Sequence, residues 1–265
     1  MADRTIWSNR QPIVLETTSL TTVLDALINN HSAPSTLIIC STKDDFISAL
    51  SDAVALDSLP SQRRGTSTNP IDIDMTDADD STNEEARHQK VAEHPLLQPT
   101  LHMLTSTSDL KLTFCPSTPH TLAYLSLLSV KAADTTRATA TPVPILAILN
   151  PIAQHEGTRS WSAQGLSKFF AAAASTAHDI GAKLVVAECR GGTRPVPLDE
   201  DDLWAQVDAE NGLRQEEPSS WDEEVAITRV KAKGVAKRDL GWQGRMVKLR
   251  TVAEKWCRFV RLPED

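Results

Sequence analysis

Apolar and polar positions alternate along the chain in a way that predicts strands and helices in turn. The clearest unit begins with the apolar run 145–149, which is rich in branched residues and bounded by prolines, as in an interior strand of a parallel sheet. A helix of about 17 residues follows, with Ser160 or Ser162 as its N-cap and Gly181 just past its end. A second apolar run, 183–188, completes a strand–helix–strand unit. Such a unit predicts parallel strands joined by a right-handed crossover.

The periodicities typical of strands and helices also predict elements toward the amino terminus. The segment 12–15 is a short apolar run, and strands are predicted at 35–40, as the first core strand, and at 110–115. Apolar residues at helical spacing predict helices at 21–29, 44–56, 96–104 and 119–128. Because strands and helices alternate from residue 35 to 188, the fold class is α/β, with a doubly wound, mostly parallel sheet.

One segment breaks this pattern. Residues 58–92 are small, polar and acidic, with hardly any aromatic or branched side chains, so they cannot bury enough surface to offset their ordering entropy. A calcium loop is the other interpretation of the acids, but its glycine and its bidentate glutamate are missing. The sequence therefore predicts one α/β domain made of residues 1–57 and 93–265, with a disordered acidic insertion at 58–92.

Composition narrows the class of protein. The formal net charge of −8 and the pI near 5.4 argue against a generally basic nucleic-acid binder. No apolar run approaches the ~18 residues of a membrane span, and the amino terminus lacks the apolar core of a signal peptide. We expect a soluble intracellular protein. Its four cysteines, Cys40, Cys115, Cys189 and Cys257, stand far apart and fit reduced thiols better than zinc ligands or disulfides.

The turn after the strand 35–40 is where a phosphate-binding loop would lie. Such a loop needs glycines that let backbone N–H groups approach the phosphates, followed by Lys and Ser or Thr. Residues 41–45 contain no glycine, and Asp44 and Asp45 would repel a triphosphate. Lys43 is interpreted as a surface lysine. We expect no ATP hydrolysis here, no catalytic residue and no cofactor or metal.

A polar loop is predicted at 152–162, at the carboxyl end of the strand 145–149. His155 and Glu156 could form an acid/base pair there, because such loops often form ligand sites in parallel sheets. The alternative is a surface loop whose charged side chains face water. No nucleophile motif of the Gly-x-Ser-x-Gly type occurs in the chain.

The carboxyl-terminal part switches sharply in charge. Residues 199–224 hold eleven acids against the single base Arg214. Residues 229–261 hold eleven bases against Asp239 and Glu254. The two blocks could neutralise each other, or the basic block could contact nucleic acid while the acidic block limits nonspecific adhesion.

The basic block is the candidate nucleic-acid contact. Residues 246–252 alternate apolar and basic, which predicts a half-exposed strand with Lys248 and Arg250 on one face. Residues 230–242 have few apolar side chains, as in a mobile loop. Solvated strand faces and a protein interface remain the alternatives. The predicted contacts, through phosphates rather than bases, are Lys231, Lys233, Lys237, Arg238, Arg245, Lys248 and Arg250.

Taken together, the layout over about residues 35–260 resembles the RecA-like core of the eukaryotic recombinase paralogues in a form without ATPase motifs. Residues 37–40 match the first core strand, 145–150 match the Walker B strand, and 222–228 and 245–250 match late antiparallel strands. The glycines of the Walker A motif are absent, and Asn150 stands where the Walker B acid would be. The resemblance implies a P-loop NTPase core lacking Walker motifs, with antiparallel C-terminal strands.

The resemblance also implies a function. Paralogues of this form are similar to the structural subunits of Shu-type complexes, so we expect a non-catalytic accessory protein of DNA recombination and repair. It would bind other RecA-like subunits in a hetero-oligomer and contact DNA, in the nucleus or also in the cytoplasm. The first alternative is a RecA-like subunit of the Elongator complex, which serves tRNA modification. The second alternative is an enzyme with a site near His155.

Overall fold

The computed structural model describes residues 6–7, 9–17, 19–30, 34–58, 94–98, 100–133 (backbone only for 131–133), 143–189, 219–228 and 245–262. The predicted acidic insertion lies outside these residues apart from Ser58. Most of the acidic block and residues 229–244 of the basic block also lie outside them. The predicted domain division is therefore untested.

Six parallel strands form the central sheet, in the order β3-β2-β4-β5-β1-β8. The strands are β1 (Ile13–Glu16), β2 (Ser35–Ile39), β3 (Leu110–Phe114), β4 (Ile145–Leu149), β5 (Lys183–Ala187) and β8 (Arg258–Arg261). Two further strands, β6 (Glu224–Ala226) and β7 (Met246–Lys248), pair antiparallel in a separate small sheet. The predicted α/β class and parallel sheet are confirmed at this level.

Seven helices are described around the sheet. They are α1 (Leu20–Asn30), α2 (Lys43–Asp57), α3 (Leu101–Ser108), α4 (Thr118–Ala133), α5 (Pro151–His155), α6 (Ala163–Asp179) and α7 (Leu249–Ala253), with 3-10 turns at Pro95–Leu97 and Ser220–Asp222. Helix α1 contacts α2 and α3 on one face of the sheet, whereas α6 contacts α4 and α7 on the other. No helix among these described elements is long and apolar enough to cross a membrane.

Strand alternation builds one core on each face. Val14, Ile38 and Ile148 point toward Phe169 and the other buried residues of α6. Their strand neighbours, such as Leu15, point to the opposite face and join the buried residues of α1. Strands that are buried on both faces read as continuous apolar runs, which explains the pattern at β2, β4 and β5.

The helix α6 begins and ends as its sequence predicts. The Ser162 hydroxyl accepts a hydrogen bond from the Gly165 N–H at 3.1 Å, so Ser162 is the N-cap. Gly181 has a φ of +70°, the left-handed conformation that ends helices, and follows the last helical turn. Packing requires a glycine at position 165, because a Cβ there would lie 2.1 Å from the carbonyl oxygen of Ser160.

Three expectations about elements are wrong. The short run at 12–15 belongs to β1, a central strand, so the strand 35–40 is the second strand of the sheet along the chain. The polar loop predicted at 152–162 starts with the helix α5, which begins already at Pro151. The predicted strand 246–252 ends at Lys248 and continues as α7, so Lys248 and Arg250 do not share a strand face.

Candidate functional site at the carboxyl edge of the sheet

The strand order creates two places where a ligand could enter the sheet. The chain runs from β1 through β2 to β3 toward one edge and then from β3 through β4 and β5 to β8 toward the other. In each of the neighbouring pairs β2/β4 and β1/β5, the connections that leave the two strands therefore run toward opposite edges of the sheet. Ligands of open α/β sheets bind at the carboxyl ends of strands at such points.

Asn150 stands at the first of these points, directly after β4. Its φ of +57° is left-handed, a conformation that asparagine tolerates better than most residues. Its side-chain Oδ1 accepts a hydrogen bond from the Cys189 N–H at 2.7 Å, and its own N–H donates to the Ala187 carbonyl at 2.9 Å. Asn150 therefore ties the end of β4 to the end of β5.

Glu188 lies at the end of β5 and contacts the start of α5. Its carboxylate follows β5, is almost fully buried, and accepts hydrogen bonds from the N–H groups of Ile152 and Ala153, both at 2.9 Å. These N–H groups belong to the first turn of α5, whose positive dipole end favours a negative charge. The protein's own carboxylate thus caps the first turn of α5.

The ends of β2 and β3 are closed by neutral hydrogen bonds. The Thr121 hydroxyl of α4 donates to the Gln154 side-chain oxygen at 2.9 Å, and the Gln154 amide donates to the Cys115 carbonyl. The Cys40 thiol lies 3.9 Å from the same Thr121 hydroxyl. These contacts join β2, β3 and the helices α4 and α5 into one packed layer.

Acidic side chains stand at the beginning of α2. Thr42 is its N-cap and accepts from the Asp45 N–H at 3.2 Å, while the Thr42 hydroxyl donates to the Asp45 carboxylate at 2.6 Å. Asp44 and Asp45 both lie in the first turn. Their charges complement the helix dipole, as a bound phosphate would elsewhere.

The end of β1 carries an ion-pair cluster. Glu16, the last residue of β1, is paired with the guanidinium of Arg250 on α7, and its other carboxylate oxygen lies 3.3 Å from Arg261 Nε on β8. The segment that follows in the sequence, 17–19, contains no glycine and no lysine. The requirements of a phosphate-binding loop are therefore missing after β1 as well as after β2.

His155 is not on a surface loop and does not form an exposed pair with Glu156. Its side chain is 0% exposed, its Nδ1–H donates to the Pro151 carbonyl at 2.7 Å, and its ring packs edge-on against Phe169. Burial lowers the pKa of His155, so the ring is neutral near pH 7. The His155 ring has no access to solvent, which argues against an acid/base site at this residue.

The predicted DNA contacts are only partly described. Lys231, Lys233, Lys237 and Arg238 lie outside the described residues, and their role stays a prediction. Arg245 is exposed, and Lys248 is exposed with its Nζ 3.5 Å from Asp222. Arg250 differs from them, because its guanidinium pairs with Glu16 and lies 4.4 Å from the centre of the Phe259 ring. The packing of Arg250 leaves it less available to a phosphate.

Sequence reasoning did not identify the two residues that organise this edge. The sequence pattern places Glu188 only at the end of a predicted strand, and it places Asn150 only where the Walker B acid would be. A signal exists for both, since polar side chains directly after the fully buried strands β4 and β5 must find partners at the buried edge. Which partners they find depends on the neighbouring strand, which the sequence does not specify.

The four cysteines are free thiols, as predicted, and all of them are buried. Burial raises the pKa of Cys257 to about 12, and burial with a smaller effect of the Glu188 charge raises that of Cys189 to about 12. Such thiols are poor nucleophiles at neutral pH. No group of three metal-ligating side chains occurs among the described residues.

Comparison with known proteins gives no family for this chain. No model of a known protein family matches it, and no curated protein is significantly similar to it. The fold and the site geometry are therefore the basis for any functional interpretation.

Proposed function

We propose that this chain is a non-catalytic, RecA-like accessory subunit of a DNA recombination or repair complex. It would bind partner subunits of similar fold and contact DNA phosphates through the basic block 229–261. The specific resemblance to recombinase paralogues rests on the sequence layout, and the α/β sheet described above is compatible with it.

The observation that carries the non-catalytic part of the proposal is the start of α2, which follows β2 where a phosphate-binding loop would lie. Such a loop needs free backbone N–H groups and an uncompensated positive dipole. Here Thr42 accepts from the Asp45 N–H as the N-cap, and Asp44 and Asp45 both lie in the first turn. At the neighbouring start of α5, the Glu188 carboxylate takes the N–H groups of Ile152 and Ala153. A triphosphate would face these carboxylates.

The nucleic-acid part of the proposal rests on charge. Eleven bases against two acids in residues 229–261 form a basic segment in a chain whose net charge is −8. The described part of this segment exposes Arg245, Lys255 and Arg258. Contacts of this kind are phosphate contacts, which are insensitive to base sequence and sensitive to salt.

Affinity purification with quantitative mass spectrometry tests the complex. The tagged full-length chain would be purified from cells that express it natively, with an untagged strain as control. We expect recovery of a recombinase or its paralogues. Recovery of Elongator subunits in their place would move the function to tRNA modification. A preparation with no co-purifying subunit would contradict the accessory role itself.

A further inference from the structure

A surface depression lies where α6, the β6–β7 sheet and α7 meet. Its volume is about 520 Å3, within the range of roughly 300–1,000 Å3 that is usual for ligand pockets. None of its lining residues belongs to the candidate site at the carboxyl edge of the sheet. The lining is largely apolar, and its apolar members are Ala163, Ala171, Ile227, Val247, Val252 and Trp256.

Trp256 is the aromatic side chain of this depression, and it is anchored there. Its indole Nε1–H donates a hydrogen bond to the Ser167 hydroxyl of α6 at 3.3 Å. The residue nevertheless remains 36% exposed. The hydrogen bond fixes one edge of the indole and leaves part of its surface in contact with solvent. A large aromatic ring that is both anchored and exposed is typical of a surface that binds a ligand or partner.

The charge of the depression is positive. The described residues that line it include Lys168 and Lys255 and no acid. Neither lysine forms an ion pair with an acid among the described residues. Glu254, which precedes Lys255, lines an adjoining depression together with Arg258. A ligand that matches this surface therefore carries negative charge next to a planar apolar group.

The depression also adjoins the basic block. The lining residue Thr228 is the last described residue before the segment 229–244, and Arg245 is the first one after it. The Arg245 carbonyl accepts a hydrogen bond from the N–H of Ile227, another lining residue, at 3.0 Å. The segment itself lies outside the described residues and is not part of the site. Because it leaves and rejoins the described chain beside the depression, a polyanion bound by the basic block lies within reach of Trp256.

We propose that this depression, which we call the Trp256 site, binds an unpaired base of single-stranded DNA. The base would stack on the Trp256 indole, and its flanking phosphates would contact Lys168 and Lys255. Proteins that bind single strands combine an aromatic platform with a positive surface in this way. An acidic peptide would satisfy the lysines but would leave the indole without a planar partner. The inference rests on the proposed function and adds the form of DNA that the subunit prefers.

Fluorescence anisotropy with three labelled probes of equal length tests the Trp256 site on the full-length chain. The probes are a single strand, its duplex, and a strand whose abasic sites keep the phosphates and remove the bases. The wild type should bind the single strand at least about fivefold more tightly than the abasic strand. Trp256→Ala should lose at least about fivefold on the single strand, and less than about twofold on the duplex and the abasic strand, because neither offers a base that can stack. Trp256→Phe keeps an aromatic ring and should retain single-strand binding within about twofold.

Lys168→Ala should weaken single-strand binding and make its salt dependence shallower, whereas Lys43→Ala, at an exposed lysine on the other face of the sheet, is the matched control and should do neither. A wild type that binds no probe would contradict the proposed function and the Trp256 site together. Equal binding of the single and abasic strands by the wild type, or equal effects of Trp256→Ala on all three probes, would overturn the site alone and leave the phosphate contacts standing. Poly-glutamate that displaces the single strand at equal charge would also overturn it, in favour of an acidic protein segment. Circular dichroism of each variant separates a lost contact from a lost fold.

Discussion

At the scale of single residues, the buried His155 side chain makes the stability of the protein depend on pH. Burial lowers its pKa in the folded protein, whereas the unfolded chain takes up the proton near the ordinary value of 6.5. Below that pH the unfolded state binds more protons, so the free energy of unfolding falls as the pH drops. The slope contributed by one such group is at most about 1.4 kcal/mol per pH unit.

His155→Phe removes this titration while keeping an aromatic ring against Phe169. We expect the variant to lose about 1 kcal/mol at pH 7 through the missing hydrogen bond to Pro151, and to lose less stability than the wild type between pH 7 and pH 5. Urea denaturation at several pH values measures both proteins. Parallel pH profiles would show that His155 does not resist protonation in the fold.

Glu188 is the second residue whose role can be isolated. Glu188→Gln keeps the size of the side chain but leaves a single acceptor oxygen for the N–H groups of Ile152 and Ala153, and it removes the charge at the start of α5. We expect a loss of about 1–3 kcal/mol in the free energy of unfolding. The exposed Glu254→Gln is the control and should change stability by less than about 0.5 kcal/mol. Equal effects of the two substitutions would contradict the capping role.

At the scale of elements, the Glu16 cluster holds α7 and β8 to the end of β1. Arg250 is about 29% exposed and also packs over Phe259, whereas Arg261 is about 85% exposed, although both pair with Glu16. Arg250→Ala should therefore cost about 1–3 kcal/mol, and Arg261→Ala less than about 1 kcal/mol. Chemical denaturation of the two variants provides the comparison. A larger loss for Arg261→Ala would reverse our ranking of the two ion pairs.

Elements with a long, unambiguous pattern could be predicted from the sequence. Strand β4 and helix α6 were predicted nearly to the residue, because an apolar run bounded by prolines and a capped helix ending at glycine leave few alternatives. Strand β1 has only four residues. Its central place comes from pairing with β5 and β8, which the sequence does not encode locally.

The predicted strand 246–252 was wrong because a strand periodicity and a helix periodicity overlap in this segment. Residues 246–250 alternate as in a strand, yet Leu249, Val252 and Ala253 stand at helical spacing and are all buried. Packing against the core selected the helical period after Lys248. Helix α2 was predicted at the correct position, and its apolar residues such as Phe46 and Leu50 pack only partly buried against the core.

At the scale of the whole molecule, the sequence separates an acidic block, 199–224, from a basic block, 229–261, of which residues 199–218 and 229–244 lie outside the described residues. The candidate site at the carboxyl edge of the sheet could not be predicted in detail, because Glu188 and α5 meet only through the neighbouring strands β4 and β5. The absence of phosphate-binding glycines could be read directly from residues 41–45 and 17–19. The proposed function therefore depends on whether the basic block binds nucleic acid.

Fluorescence anisotropy with labelled DNA tests this most directly. The wild-type chain and the triple variant Lys233→Glu, Lys237→Glu and Arg238→Glu would be titrated against single- and double-stranded oligonucleotides of several sequences over a range of salt. Arg250 is left intact, because its loss would disturb the Glu16 cluster. We predict binding that weakens steeply with salt, and a variant that loses about tenfold or more on every sequence, with a shallower salt slope. Undetectable wild-type binding, or equal binding by the variant, would contradict the proposed contact with DNA.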